Sequence, residues 1–276
     1  MRWSAEQGRN LPWRRTRDPW SVLVSELMLQ QTQVSRVVPK YHAFLDRFPT
    51  LADCAAAPQA DVVKMWAGLG YNRRAVNLHR CARQVAADHD GRLPDELGAL
   101  LDLPGIGPYT ARAILAFAFE HDVAVVDTNV GRVLARRAGR RFAAREVQAA
   151  ANELVPMGEG WAWNQALLDF GALLCTKKAP ACDRCPAVAG CAWKGEGSDP
   201  AVGSAGVSGG QSKFEGSDRQ GRGRLVDALR LGSVRTADLA VVMGWPADPA
   251  RAERVAATLV TDGIATRSAD TYHLTD

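Results

Sequence analysis

What the chain lacks narrows its reading first. None of its 276 residues fall in an apolar run long enough to cross a bilayer. Its N-terminus carries no basic segment followed by an apolar one. A cytoplasmic protein is therefore expected. Strand-forming runs are nearly missing: over the first 190 residues only Val123–Val126 reads as extended, and at four residues it could equally be buried extended chain. There is no internal repeat. Histidine is scarce, with five in the chain and none between Cys175 and Cys191. Excess charge is small: 34 Lys+Arg against 30 Asp+Glu leave +4, so distribution matters more than total. Six cysteines at this length, with 47% hydrophobic residues to build a core, argue against a disulfide framework. They point to a metal or reactive-thiol role.

What is present is a series of short helices. Residues 20–48 carry helical periodicity, with Pro39 expected to split it into two helices. Further helices are expected over 58–69, 73–88, 96–102, 108–120, 128–138, 144–154 and 163–175. Cys54 and Cys81 sit in apolar helical patterns as small core residues. Three regions follow from composition: an all-α domain over 1–194, a flexible Gly/Ser-rich linker over 195–217, and a module over 218–276. The module reads as three helices and a two-stranded wing, a winged-helix-like α+β unit. Its eight Asp and Glu balance its eight Arg, so the net positive charge lies in residues 1–217.

Leu103–Ala113, LPGIGPYTARA, is the most informative stretch. Gly105 and Gly107 bracket Ile106, and a small-residue helix follows. Glycines allow a sharp turn with close backbone approach, and exposed amides opening a helix favour anions. Leu103 and Ile106 read as pegs between two short helices, making a helix-hairpin-helix that holds a DNA phosphate. A bare tight turn is the plainer alternative.

Cys175, Cys182, Cys185 and Cys191 follow the pattern C-x6-C-x2-C-x5-C. Only one pair has the two-residue spacing usual in zinc sites, and no histidine joins them. All-cysteine ligation suits a cubane iron–sulfur cluster; zinc is the alternative. Lys177, Lys178, Arg184 and Lys194 lie beside the ligands, where a tied loop would present them to an anionic partner. Two carboxylates complete the set. Glu26 sits among Val22, Leu23 and Leu29, a setting that raises a carboxyl pKa and makes a proton donor near neutral pH; a solvated helix face is the alternative. Asp127 follows the apolar run and precedes a helix, where the residues alone slightly favour a simple N-cap.

Taken in order, SELMLQQTQV, GLGYNRRAVNLH, LPGIGPYTARA, VVDTNVGRVL and the cysteine loop resemble the helix-hairpin-helix base-excision DNA glycosylases with a [4Fe–4S] cluster, most closely the MutY-type adenine DNA glycosylases. The resemblance covers roughly residues 9–194. It implies a monomeric enzyme, cytoplasmic or nucleoid-associated, that removes adenine mispaired with 8-oxoguanine or guanine from double-stranded DNA after flipping the base out. It implies that Glu26 protonates the adenine, that Asp127 stabilises the oxocarbenium-like sugar, and that Asn129 orients the site. Tyr109 stands where the bifunctional relatives carry a Schiff-base lysine, implying a monofunctional glycosylase. By the same resemblance Gln30 and Gln31 enter the duplex, Tyr71 wedges beside 8-oxoguanine, and Arg73 and Arg74 meet phosphates. Gly105 and Gly107 would anchor the backbone. Asn72 departs from the second aromatic often found in that branch, and the usual C-terminal domain that reads 8-oxoguanine is not recognisable. A thymine or uracil mismatch glycosylase is the alternative within the superfamily. A non-catalytic DNA-binding iron–sulfur protein is the alternative outside it, and it needs neither carboxylate.

Overall fold

The computed structural model describes residues 2–207 and 213–276. Within them the architecture is helical apart from one small antiparallel sheet near the C-terminus. This agrees with an all-α helix-hairpin-helix fold carrying a small α+β module. The chain divides into two compact units. The first comprises Met1–Val22, Asp95–Leu101 and Ile106–Gly210; the second comprises Leu23–Pro94, Asp102–Gly105 and Gln211–Asp276. The division therefore does not fall at residue 194. The C-terminal module shares the second unit with residues 23–94 through side-chain hydrogen bonds that composition cannot reveal. Gln59 Nε2 donates to the Gly263 carbonyl at 2.7 Å, and Arg230 donates to the Val63 carbonyl at 3.1 Å.

In the first unit, α1 (Arg2–Gln7) precedes α7 (Leu97–Leu101), α8 (Pro108–Phe117), α9 (Thr128–Ala138), α10 (Ala144–Asn152) and α11 (Gly160–Leu173). Val130, Leu134, Phe142, Val147 and Ala151 form one buried cluster, and Ala201 joins it. Residues 195–207 are thus not a loose linker. Ser204 is buried and its hydroxyl accepts from the Phe142 N–H at 3.0 Å, while Asp199 pairs with Arg136 at 2.7 Å. Ala201, Ser204 and Ala205, which look like linker composition, pack against the helices of this unit. Residues 208–212 of the expected linker lie outside the described residues. The N-terminal segment is tied to α11 through Asp169, which is fully buried and accepts from Arg9 Nε at 2.6 Å and from both Arg14 Nη atoms at 2.7 and 2.8 Å. Burial pushes that carboxyl up, but the Arg14 and Arg9 hydrogen bonds outweigh it and hold it below the usual range.

Val123–Val126 has no regular secondary structure and belongs to no sheet. Two asparagines replace a partner strand. Asn164 Oδ1 accepts from the Val125 N–H at 2.8 Å while its Nδ2 donates to the Val123 carbonyl, also at 2.8 Å. Asn152 Oδ1 accepts from the Ala124 N–H at 3.2 Å. The buried backbone is thereby satisfied without a ladder.

The second unit contains most of α2 (Pro19–Leu29), then α3 (Val34–Arg47), α4 (Leu51–Ala56), α5 (Gln59–Met65) and α6 (Arg73–Asp88). Phe44 packs on Phe48 and edge-on to Trp66, with centroids 5.0 and 6.0 Å apart. Cys54 and Cys81 are fully buried core residues, as expected, and burial pushes both thiols up to about 12. Pro39 does not divide the 20–48 segment; it lies inside α3, exposed, where water can serve the backbone carbonyl it leaves without a partner. The division comes earlier, at Gln31, whose φ of +54° turns the chain into the left-handed region. The module contains α12 (Asp218–Leu231), α13 (Leu239–Met243) and α14 (Pro249–Thr261). Its sheet has the order β1-β3-β2 for β1 (Val234–Arg235), β2 (Ala265–Ser268) and β3 (Thr271–Leu274). The expected two-stranded wing gains a third strand because Val234 pairs with Tyr272 along the other edge of β3.

Candidate active site and nucleic-acid interface

Asp127 is both a cap and more than a cap. Its backbone is extended, and Oδ1 accepts from the N–H groups of Asn129 and Val130 at 2.8 and 2.7 Å, closing the first turn of α9. Its second oxygen, Oδ2, accepts from the Asn129 side-chain amide at 2.7 Å. Burial pushes this carboxyl above the ordinary carboxylate range, against the pull of those bonds and of Arg132. A solvated cap would not behave so.

Asn129 is itself held. Its Oδ1 accepts from Arg132 Nη2 at 2.8 Å, and Arg132 also donates to the carbonyls of Gly171 at 2.6 Å and Cys175 at 2.8 Å. The close packing of α11 on this residue requires Gly171: a Cβ there would stand 2.7 Å from Asn129 Cβ and 3.0 Å from its backbone carbonyl. One helical turn on, Arg136 is buried and donates to Cys175 Sγ at 3.4 Å and the Thr176 carbonyl at 2.7 Å. Arg132 and Arg136 are therefore inner ties to the cysteine loop. Arg137, Arg140 and Arg141 are exposed.

The four cysteines of that loop line one cavity of about 50 Å3. Among the described residues they do not close into a single-ion group; they share the lining of the cavity. Burial and the neighbouring Cys175, Cys185 and Cys191 push the Cys182 thiol upward. Four thiols that repel one another as thiolates are a donor set that a cationic centre would relieve, so the residues fit a thiolate-bound metal cluster. Lys178, Arg184 and Lys194 around them are exposed.

In the second unit, Glu26 lies on α2 and is 5% exposed among Leu23, Val24, Leu27 and Met28, all of them buried. The solvated-face alternative is excluded. Gln30 and Gln31 follow at the turn, Gln30 partly buried and Gln31 exposed. The 68–72 loop faces the same groove and turns repeatedly, with positive φ at Gly68, Gly70 and Tyr71, the last at +46° and 38% exposed. A left-handed backbone at an aromatic residue is costly and marks a position held for a reason.

Arg74 holds both loops and does not reach for phosphate. Its guanidinium donates to the carbonyls of Leu27, Met28 and Gln30 at 2.6–2.9 Å, and to those of Leu69 and Gly70 at 3.1 and 3.0 Å. Burial lowers its pKa to about 10, so it stays charged. The expected phosphate contact is thus corrected: the C-terminal carbonyls of α2 left open by the helix end already occupy this side chain. Arg73 is exposed and pairs with Asp262 at 3.3 Å. Asn72, in place of the expected aromatic, accepts from Arg230 at 2.7 Å.

The hairpin forms as read. Leu103 and Ile106 are both buried, and Gly107 caps α8 with Pro108 behind it. Gly105 has φ +79°, and a Cβ there would meet Asn77 Cβ at 2.6 Å. Tyr109 lies in the first turn of α8, partly buried. Asp127, Asn129 and Tyr109 thus belong to the first unit, and Glu26, Gln30, Gln31 and Tyr71 to the second. Sequence reasoning missed Gly171, and it placed Arg132 and Arg136 with Arg137, Arg140 and Arg141 in one basic stretch, part of it a solvated face; burial separates the first two from the other three.

Comparisons with known proteins agree. The profile of the HhH-GPD superfamily base excision DNA repair proteins matches residues 24–157. An adenine DNA glycosylase of Mycolicibacterium smegmatis is 41% identical over 98% of this chain and 92% of its own. One from Mycobacterium tuberculosis is 40% identical over 98% and 90%. Among solved structures, a thermostable thymine-DNA glycosylase superposes with a TM-score of 0.64 at 33% identity, covering 68% of this chain and 89% of its own.

Proposed function

The chain belongs to the adenine DNA glycosylases of the HhH-GPD superfamily of base excision DNA repair proteins, and we propose on that footing that the adenine it removes is one mispaired with 8-oxoguanine or guanine in double-stranded DNA. The observation that carries the chemical reading is the Asp127 carboxylate, buried and held from two sides by Asn129. A DNA-binding protein without chemistry has no use for a charge kept at that cost.

In the mechanism that follows, the adenine leaves the stack and enters the enzyme. Glu26, in its apolar setting, protonates the ring so that it departs as a neutral base. The C1′–N9 bond breaks, and positive charge spreads over the sugar ring. Asp127 stabilises that charge or bonds briefly to C1′, and water completes the hydrolysis. Asn129 fixes the Asp127 carboxylate. Tyr109 supplies no amine, so no Schiff base forms and the strand stays intact. Gln30, Gln31 and Tyr71 meet the bases left in the duplex, while Gly105, Gly107 and Arg73 serve the backbone. Cys175, Cys182, Cys185 and Cys191 would hold a [4Fe–4S] cluster, which ties the loop carrying Lys178, Arg184 and Lys194. The enzyme acts as a monomer in the cytoplasm, on the nucleoid.

The test is a panel of duplexes carrying A opposite 8-oxoguanine, A opposite G, T opposite G and U opposite G, each with and without alkali. Alkali-dependent cleavage at A is expected. Excision from the T and U duplexes alone would favour the mismatch glycosylase, whose solved relative shares this fold; strand cleavage without alkali would overturn the role given to Tyr109. A brown protein absorbing in the blue is expected, and a colourless zinc protein would overturn the cluster.

A further inference from the structure

The C-terminal module has no part in the chemistry above, yet one face of it is built into a groove. In the second unit, a groove of about 920 Å3 runs between the Gln30–Gln33 turn and the 68–74 loop on one side and α12 on the other. The module as a whole is charge-balanced, but the groove is not. Arg36, Arg73, Arg219, Arg222 and Arg230 line it against Asp227 and Asp262, while Arg74 lies beneath them, turned to backbone carbonyls. Two exposed aromatics, Tyr71 and Phe214, also line it. Arg219, in the first turn of α12, links them: its Nη1 donates to the Tyr71 hydroxyl at 3.0 Å, and its guanidinium carbon lies 5.1 Å from the Phe214 ring centre. Arg230, on the same helix, donates to Asn72 beside Tyr71. Cations along a groove with exposed aromatic faces are the features that take a nucleic-acid strand by its phosphates and stacked bases.

We propose that α12 and Phe214 form the far wall of the site for the DNA strand that keeps its base, and that Arg219 is the positioning residue that sets the Tyr71 ring against the base opposite the excised adenine. The inference rests on the reading that this chain excises adenine from a purine mispair. It adds that the module, lacking the composition of a strong phosphate binder, contributes through one helix. It also gives Asn72 a use: its amide oxygen accepts a hydrogen bond from Arg230 of α12.

The test uses the full chain with Arg219→Ala, Arg219→Lys and Phe214→Ala, and with Arg235→Ala as a charge-matched change outside the groove. Single-turnover excision of A opposite 8-oxoguanine and opposite G is titrated with enzyme, separating the saturated rate from the half-saturating concentration, alongside thermal melts. Arg219→Ala and Phe214→Ala are each expected to raise the half-saturating concentration about 10-fold while the saturated rate and Tm hold. Arg219→Lys should recover part of the loss, since an ammonium still donates to the Tyr71 hydroxyl; Arg235→Ala should behave as wild type. Wild-type titration by Arg219→Ala, or a fall in saturated rate that tracks a fall in Tm, would overturn the proposal. A wild-type enzyme that excises no adenine from either duplex would instead overturn the substrate reading on which it rests.

Discussion

The side-chain amide of Asn129 donates to Oδ2 of Asp127 at 2.7 Å while its own backbone N–H donates to Oδ1 at 2.8 Å. One residue thus grips both oxygens of the carboxylate. Asn129 is gripped in turn by Arg132, which reaches the cysteine loop through the Cys175 carbonyl. The orientation of Asp127 is therefore set by α9, α11 and the loop together, a chain of hydrogen bonds that holds the carboxylate in one geometry.

Asp127→Asn should bind a lesion duplex as the wild type does while excision falls by about 10²–10³-fold or more, the loss expected when a preorganised charge is removed from a transition state. Mobility-shift binding and single-turnover excision measure the two. The folded-state pKa of Asp127 lies above its ordinary value, so its contribution favours folding at low pH and is lost as pH rises through the folded pKa. At pH 7 the buried charge opposes folding, while the amide nitrogen that the substitution introduces cannot accept from Asn129 as Oδ2 does, so the two effects offset and the variant should melt close to wild type at that pH. Excision by the wild type should fall as pH drops through the same raised pKa, because the carboxylate must be ionised to act. Unchanged turnover in Asp127→Asn would reduce Asp127 to a helix cap.

Gly171→Ala tests the support behind that carboxylate without touching it. The added methyl would meet Asn129 at 2.7 Å, closer than Cβ atoms approach, so α11 must withdraw. Overpacking of this kind costs about 1–3 kcal/mol, read as a lower Tm. Excision should fall further than DNA affinity, since the strained contact is at Asn129.

The helices, the hairpin pegs and the cysteine loop were legible because each has a local signature: periodicity, glycine spacing, ligand spacing. Glu26 was legible for the same reason, its apolar neighbours being its own helix. Long-range partnerships were not. Nothing near residue 74 says that its guanidinium collects carbonyls from residues 27–30 and 69–70, and an arginine following a candidate wedge reads naturally as a phosphate ligand. The 195–207 segment misled for the opposite reason: small residues suit a linker and a tight packing contact equally. Asn164 and Asn152, which satisfy the 123–126 chain, carry no motif at all.

Arg73 and Arg74 should therefore separate in experiment. Arg74→Ala strands several buried carbonyls at once, each costing about 1–3 kcal/mol, so a large fall in Tm or loss of folded protein is expected. Arg74→Lys should rescue little, since three donors on a point charge cannot replace a planar fork with this many partners. Arg73→Ala should keep its Tm and weaken binding evenly across duplex sequences, lowering the slope of log affinity against log salt by about 1. Equal effects from the two arginines in both assays would sink the distinction.

Asp169 decides how the N-terminal segment is held. Its carboxylate is fully buried and carries Arg9 and Arg14, the latter through two parallel bonds. Asp169→Ala leaves those cations without a partner, for which about 3–5 kcal/mol of lost stability is expected. The pH dependence has a definite sign. The folded-state pKa is held below the ordinary 3.8, so the stabilisation is present above that value and is lost as pH falls through the folded pKa. Thermal melts of wild type and Asp169→Asn should therefore stand well apart at pH 7 and converge as the solution is acidified below about 3.8. A gap that stays constant with pH would mean that Asp169 contributes by its shape and not by its charge.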